Sequence, residues 1–199
     1  MTDLEPKFPA PNGSAGEKTS QTHPLEIHAL STPGGGCIGM TLCPGKRQPY
    51  AVTGPWNRDL AADMDAIKAF GASTLITLME TAELAEAAVP ADVMKTAANE
   101  RSIKWLHMPV ADFGGPDAVF EAAWKNYGPT VRADLKSGAR VVVHCRGGRG
   151  RAGLMAARLL VEMGAEPNLA IDTVRAANPL AIETVTQEDH IKQCRPVTD

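Results

Sequence analysis

The segment from residue 144 to residue 151 places one cysteine, three glycines and three arginines in eight positions. Five residues separate Cys145 from Arg151, and the glycines between them let successive N–H groups turn toward one centre. Such a nest binds a tetrahedral anion, and an arginine adds a planar pair of donors. Positive surroundings favour the thiolate, which is the nucleophilic form of a cysteine. The segment therefore predicts a phosphate-binding loop with Cys145 as a nucleophile aimed at the bound phosphorus.

A strand and a helix are predicted on either side of this loop. Three valines at 141–143 indicate a buried strand, and a helical pattern runs from 151 to about 163. The N-terminus of a helix favours anions because its free N–H groups and its dipole point at whatever is bound there. The predicted strand and the helix N-terminus on either side of the loop are therefore consistent with binding of an anion.

Strand and helix patterns alternate along most of the remaining chain. Predicted strands cover 25–30, 37–42, 73–78 and 103–110. Predicted helices cover 58–70 with Asn57 as the cap, 81–88, 91–99, 118–137 with a kink at Pro129, 167–178 and 183–192. This order predicts an α/β fold in which helices flank both faces of a mostly parallel central sheet.

Composition indicates a soluble globular protein of 199 residues with one core, since 44% of the residues are hydrophobic and 22% are charged. Residues 1–24 lack periodicity and are predicted to be a flexible tail or an arm over the catalytic domain at 25–199. A net charge of −3 gives no case for nucleic-acid binding, and no run is long enough for stable membrane insertion. The cysteines show neither zinc spacing nor a disulfide framework, so a reducing, cytoplasmic location is expected without a metal or other cofactor.

A phosphomonoesterase also needs a carboxylic acid that gives a proton to the leaving oxygen. Asp112 fits because it follows a predicted strand and precedes glycines that can act as hinges. Asp117 is the alternative, although a helix cap explains it well. His144 is predicted to position the loop and support the thiolate by hydrogen bonding, the alternative being a packed core histidine.

The spacing of His144, Cys145 and Arg151 resembles the signature of the cysteine-dependent protein tyrosine phosphatase superfamily. Further segments are similar to the kinase-associated phosphatase group of dual-specificity phosphatases and its bacterial relatives, at 38–46, 109–117, 144–153 and 181–187. The resemblance extends over about residues 25–194. It implies the dual-specificity phosphatase fold, a phosphocysteine intermediate, Asp112 as general acid and Gln187 as the residue that places water for hydrolysis of the intermediate.

Phosphate binding is assigned to the loop residues Arg146, Gly147, Gly148, Arg149, Gly150 and Arg151. Two residues depart from the pattern of the resembling proteins. Ala152 stands where most of them carry a serine or threonine whose hydroxyl supports the thiolate as it leaves, which predicts slow breakdown of the intermediate. Arg149 stands where an apolar residue is more usual, and it is either a solvated charge or a site for a second negative group.

These features predict an enzyme that hydrolyses phosphotyrosine, and also phosphoserine or phosphothreonine, in a phosphorylated protein or peptide. One alternative is a phosphatase of a phosphoinositide or another polyphosphorylated small molecule. A second alternative is a weakly active module that binds phosphoproteins. A sulfurtransferase would also use a loop cysteine, but the spacing to Arg151 and the preceding histidine favour phosphate chemistry.

Overall fold

A five-stranded sheet lies at the centre of the computed structural model, which describes residues 16–198. The strands are β1 His28–Ser31, β2 Cys37–Leu42, β3 Arg47–Gln48, β4 Trp56–Asn57, β5 Ala72–Thr77, β6 Lys104–His107 and β7 Arg140–Cys145. The helices are α1 Leu60–Ala69, α2 Thr81–Glu86, α3 Ala91–Asn99, α4 Ala118–Lys136, α5 Gly150–Glu162, α6 Pro167–Ala177 and α7 Val185–Gln193. The central sheet has the order β1-β2-β7-β5-β6, while β3 and β4 form a separate pair.

Parallel pairing dominates this sheet, because only the β1–β2 pair is antiparallel among the pairs of the described sheet. The three valines of β7 show how it is covered. Val141 and Val143 belong to a core cluster with Leu154 of α5, whereas Val142 belongs to a second cluster with Met64 of α1 and Met94 of α3. Alternate side chains of one strand therefore pack against different helical layers, which confirms the predicted α/β fold.

Helix α1 begins later than predicted, and its cap is Asp59 rather than Asn57. The Asp59 side chain accepts a hydrogen bond from the N–H of Ala62 at 2.8 Å. Asn57 instead belongs to β4 and pairs with Arg47. The prediction was wrong because Asn57 and Asp59 are both good capping residues, and pairing with β3 decides which of them is free to cap.

The last helix also begins later than predicted. Thr184 caps α7 by accepting a hydrogen bond from the N–H of Gln187 at 3.2 Å. Glu183, predicted as the first helical residue, therefore lies in the loop that precedes α7. Asp117 caps α4 as expected, accepting from the N–H of Phe120 at 2.8 Å, and α4 continues through Pro129.

Part of the predicted tail lies against the domain, while residues 1–15 are outside the described residues. Lys18 donates its N–H to the carbonyl of Pro55 at 2.9 Å and accepts from the N–H of Asn57 at 3.0 Å. Arg58 donates to the carbonyl of His23 at 2.8 Å. Within residues 16–198, no helix combines the length and the apolar character needed to cross a bilayer.

Candidate active site

The predicted phosphate-binding loop leaves the middle strand of the sheet. Register pairs Cys145 at the end of β7 with Leu42 of β2, and His144 with Thr77 of β5. The chain then turns through residues 146–149 into α5, every residue of which is buried. The loop is thus held between two strand ends and the N-terminus of a helix that is packed on all sides.

Two glycines of the loop lie in close contact with other segments. Gly148 has a φ of +74°, and a Cβ built on it would lie 2.6 Å from the backbone nitrogen of Leu42. A Cβ on Gly150 would lie 2.5 Å from Oε2 of Glu183. At Gly148 the nearest atoms belong to the backbone of β2, so a side chain there would force the two segments apart. At Gly150 the nearest atoms are the ends of the Glu183 and Gln187 side chains, which would have to move.

Arg151 is fixed below the loop by contacts from two segments, helix α2 and the stretch 110–112. Its Nη1 donates to Oε2 of Glu83 at 2.5 Å and to the carbonyl of Val110 at 3.0 Å, and its Nη2 donates to Oε1 of Glu83 at 2.9 Å. Nη2 also lies 3.0 Å from Oδ1 of Asp112. The Nε atom is buried and has no hydrogen-bond partner among the described residues. A buried donor of this kind is accounted for when a ligand accepts from it.

The electrostatics of the Arg151–Glu83 pair keep both groups charged. Burial opposes the charge of Arg151, but the hydrogen bond to Glu83 and the neighbouring acidic groups raise its pKa above the usual value. Burial likewise opposes the charge of Glu83, but the hydrogen bond from Arg151 and the nearby arginines hold its pKa below the usual value. The cation beneath the loop is therefore permanent.

The two candidate acids, Asp112 and Asp117, differ in their position relative to the cavity that contains Cys145. Asp112 lines the same cavity as Cys145 and Arg151, and its side chain is 47% exposed. It follows a chain segment that continues β6, since the N–H of Val110 donates to the carbonyl of Leu78 at 3.0 Å. Asp117 is occupied in capping α4 and does not line the cavity.

The loop that carries Asp112 is tied to the start of α7. Thr184 donates its hydroxyl to the carbonyl of Phe113 at 3.1 Å, and Gln187 donates from Nε2 to the carbonyl of Gly114 at 3.4 Å. Oε1 of Gln187 accepts from the N–H of Glu183 at 2.9 Å. Gln187 is fully buried and does not line the cavity, whereas Glu183 does.

The cavity above Cys145 has a volume of about 570 Å³. Of the predicted phosphate-binding residues, all except Gly150 line it, and Gly150 lies directly behind the Glu183 side chain. Arg146 donates to Glu86 at 2.8 Å. The side chain of Arg149 has no hydrogen bond or ion pair with any residue in the range 16–198.

His144 is completely buried, and its Nε2 lies 2.7 Å from the hydroxyl of Thr77. That hydroxyl also accepts from the indole N–H of Trp105 at 2.8 Å. Burial lowers the pKa of His144 to about 3, so the imidazole is neutral. Its geometry is that of a hydrogen-bonded support beneath the loop. The described residues contain no group of three His, Cys, Asp or Glu side chains suited to holding a metal ion.

Lys46 is an active-site neighbour that the sequence did not single out. Its Nζ donates to the carbonyl of Arg146 at 3.2 Å and lies 4.6 Å from the centre of the Trp56 ring. Burial lowers the pKa of Lys46 to about 8. Burial also raises the pKa of the neighbouring Cys43 thiol to about 12, so Cys43 is not a competing thiolate.

Glu83 and Glu183 were also missed by the sequence reasoning. Both residues are far along the chain from the loop at 144–151, and each lies in a segment whose residue pattern is typical of an ordinary helix. The loop between α6 and α7 contains two residues of note, Ile182 at a φ of +59° and Glu183 next to it. No periodicity in the sequence marks these positions.

The model of the family described as "PTP-SAK: Swiss Army Knife protein, DSP-PTPase phosphatase domain" matches residues 48–191. Cyclin-dependent kinase inhibitor 3 of Rattus norvegicus is 28% identical over 141 residues, covering 69% of this chain and 64% of that relative's length.

Two solved structures resemble the fold. The crystal structure of kinase associated phosphatase with its catalytic cysteine replaced by serine superposes with a TM-score of 0.73 at 26% identity, covering 84% of this chain and 92% of that one. PTPMT1 in complex with PI(5)P superposes with a TM-score of 0.58 at 16% identity, covering 78% of this chain and 88% of that one. The second likeness is one of fold alone.

Proposed function

The chain belongs to the dual-specificity phosphatase domain family named PTP-SAK, and from that premise we propose that it hydrolyses phosphotyrosine, and also phosphoserine or phosphothreonine, in proteins. One observation carries the proposal: Cys145 and Arg151 of the loop at 144–151 line one cavity together with Asp112, which comes from a distant segment of the chain. The protein works without a metal, since the nucleophile, the cation and the acid are all side chains. Its four cysteines are free thiols, which suits a reducing compartment such as the cytoplasm.

In the first step, the Cys145 thiolate attacks phosphorus and forms the S–P bond. The P–O bond to the leaving group breaks, and Asp112 gives that oxygen its proton. Arg151 and the loop N–H groups stabilise the equatorial oxygens. The Nε atom of Arg151 is available to donate to one of these oxygens, because no described residue accepts a hydrogen bond from this atom.

In the second step, water attacks phosphorus, the S–P bond breaks, and the Asp112 carboxylate accepts a proton from the water. The resemblance noted above assigns the placing of this water to Gln187. The contacts of Gln187 favour an indirect role, because its amide holds the backbone of Glu183 and Gly114 and is buried behind the cavity wall. We therefore propose Gln187 as a positioning residue.

A second candidate is the hydrolysis of a phosphoinositide or another polyphosphorylated molecule. The observation in its favour is the set of cations in the cavity that have no carboxylate partner among residues 16–198, namely Lys18, Lys46 and Arg149. Each could bind a second phosphate. The third hypothesis is a weakly active module that binds phosphoproteins. Its one support is Ala152, which lacks the hydroxyl that would assist breakdown of the intermediate.

The test is hydrolysis of an aryl phosphate in the presence of a chelator by the wild type and by the Cys145→Ser variant. We expect turnover by the wild type and none by the variant. Hydrolysis that requires a metal, or that survives the cysteine change, would overturn the mechanism. Absence of turnover together with tight binding of a phosphopeptide would favour the binding module.

A further inference from the structure

A carboxylate of the protein itself contacts the phosphate-binding loop. Oε2 of Glu183 accepts a hydrogen bond from the N–H of Gly150 at 2.9 Å, and the Glu183 side chain lines the cavity that contains Cys145. We propose that Glu183 is an internal anion that competes with the phosphoryl oxygens of the substrate for this loop N–H. The inference rests on the proposed function and concerns how the same site selects and releases phosphate.

The contact places a carboxylate oxygen directly against the backbone at the end of the loop. A Cβ on Gly150 would lie 2.5 Å from the carboxylate oxygen, so Glu183 packs directly on the backbone of Gly150. Gly150 is the first residue of the thirteen-residue helix α5, where free N–H groups and the helix dipole favour negative charge. The residue that caps this helix, Arg149, contributes no side-chain hydrogen bond. Glu183 therefore supplies from another segment the negative charge that this helix end favours.

A second observation marks the same site as built for an exogenous anion. The Nε atom of Arg151, whose side chain is only 1% exposed, has no acceptor among the described residues. A bound phosphate would satisfy Nε and would also take the loop N–H groups. Glu183 satisfies one of those N–H groups in the meantime, but its carboxylate is not bonded to Arg151.

The backbone around Glu183 is fixed, whereas its side chain is exposed. Ile182 has a φ of +59°, a costly conformation for a β-branched residue, and its carbonyl accepts from Arg175 at 2.9 Å. On the other side, the N–H of Glu183 donates to Gln187 at 2.9 Å. The segment therefore aims Glu183 at the loop while leaving its carboxylate able to swing toward solvent.

Charge repulsion is the reason why a bound phosphate would displace the Glu183 carboxylate. A phosphate dianion that accepts from the Gly150 N–H takes the place of the Glu183 oxygen, and two anions side by side repel each other. The repulsion at about 4 Å corresponds to at least about five-fold in affinity even at the dielectric constant of water. Glu183 thus weakens the binding of phosphate and promotes release of the inorganic phosphate product.

The experiment measures binding of inorganic phosphate by titration calorimetry to the full chain carrying Cys145→Ser, with and without Glu183→Gln. The glutamine keeps an acceptor for the Gly150 N–H but removes the charge, and we expect it to tighten phosphate binding about five-fold or more. Glu166→Gln is the matched control, because Glu166 also accepts from backbone N–H groups at a helix start but lies outside the cavity. We expect no tightening there.

Unchanged or weaker phosphate binding by a folded Glu183→Gln variant overturns the inference and would leave Glu183 as a helix cap only. A second measurement does not depend on any variant at this position. In the wild type, carbon-13 and nitrogen-15 resonances report the Glu183 carboxylate and the Gly150 amide, and both should shift together as phosphate is added. A Glu183 carboxylate that stays unchanged at saturating phosphate also overturns the inference. Failure of the proposed function is distinguishable, because it appears as absence of hydrolysis by the wild type.

Discussion

Glu83 and Arg151 are joined by two hydrogen bonds of 2.5 and 2.9 Å, although 68 positions separate them along the chain. The pair fixes the plane of the guanidinium group before any substrate is bound. The carbonyl of Val110 adds a third fixed contact at 3.0 Å. Donors that are oriented in advance need little reorganisation as charge develops in a transition state.

Glu83→Gln should lower kcat/KM for an aryl phosphate by about 10- to 100-fold, because Arg151 loses one charged partner and its fixed orientation. Steady-state kinetics measures this effect. Glu86→Gln is the control, since Glu86 is an exposed residue that contacts Arg146 and not Arg151. Equal losses in the two variants would mean that net charge, rather than orientation, is what matters.

Asp112→Asn should lower kcat by about 100-fold or more on a phosphotyrosine peptide, because the leaving oxygen then receives no proton. The loss should be much smaller on an aryl phosphate whose phenol is acidic and needs no proton. Asp117→Asn should leave kcat unchanged and cost at most about 1 kcal/mol of stability through the cap of α4. A larger kinetic effect at Asp117 than at Asp112 would reverse the assignment.

Ala152→Ser should raise steady-state turnover by about one to two decades, if one hydrogen bond to the departing thiolate is restored in full. Ala152 is fully buried and belongs to the same core cluster as Cys145. A rapid-mixing experiment on the wild type should show a burst of alcohol or phenol release that shrinks in the variant. The control is Ala156→Ser, which places a hydroxyl at another buried position of α5. An unchanged burst and turnover in Ala152→Ser would refute slow breakdown.

The free energy of unfolding should decrease as the pH falls below 6.5, because His144 is buried in its neutral form. The pKa of this residue is about 3 in the folded protein and about 6.5 as the ordinary value, so the unfolded chain binds one more proton between these pH values. Stability from this group is therefore present above pH 6.5 and is lost as the pH falls toward 3. Between pH 6 and pH 5, wild type should lose about 1 kcal/mol more unfolding free energy than His144→Gln.

Denaturant titrations at the two pH values measure this difference. His23→Gln serves as the control, since it removes an exposed histidine and leaves the buried one in place. The same slope in wild type and in His144→Gln would show that His144 is not held neutral by burial.

Arg149→Leu separates the protein substrate from the polyphosphorylated alternative. The proposed protein phosphatase predicts a similar loss of kcat/KM on a phosphopeptide and on a soluble phosphoinositide. A loss at least ten-fold larger on the phosphoinositide would favour the alternative, because a bidentate charged contact to a second phosphate would then be missing. Lys68→Met removes a cation from the last turn of α1, outside the cavity, and controls for net charge.

The loop and the sheet could be predicted because residues close together in the sequence determine them. Three consecutive valines require a strand covered on both faces, and the glycines after Cys145 require a tight turn. Asp112 could be proposed because it follows a strand that was itself predictable. The resemblance to the phosphatase superfamily also rests on one short stretch, from His144 to Arg151.

The remaining parts depend on contacts between distant segments. Glu83 is one of several acidic residues in a helical pattern, and only tertiary packing brings it to Arg151. Glu183 was predicted as the first residue of a helix, and the Thr184 cap is what leaves it in a loop beside Gly150. The sequence favours Asn57 as a cap because the short β3–β4 pair has too few residues to give a periodic signal.

The segment around Lys18 has a practical consequence for where the functional unit starts. Lys18 lines the cavity, donates from Nζ to the carbonyl of Thr53 at 2.6 Å, and holds that Nζ 5.0 Å from the centre of the Trp56 ring. The family match begins only at residue 48, and the predicted domain at residue 25. A shortened protein that begins at residue 25 or at residue 48 would lack Lys18 and with it part of the wall of the cavity. Fragments intended for substrate screening should therefore begin before Lys18.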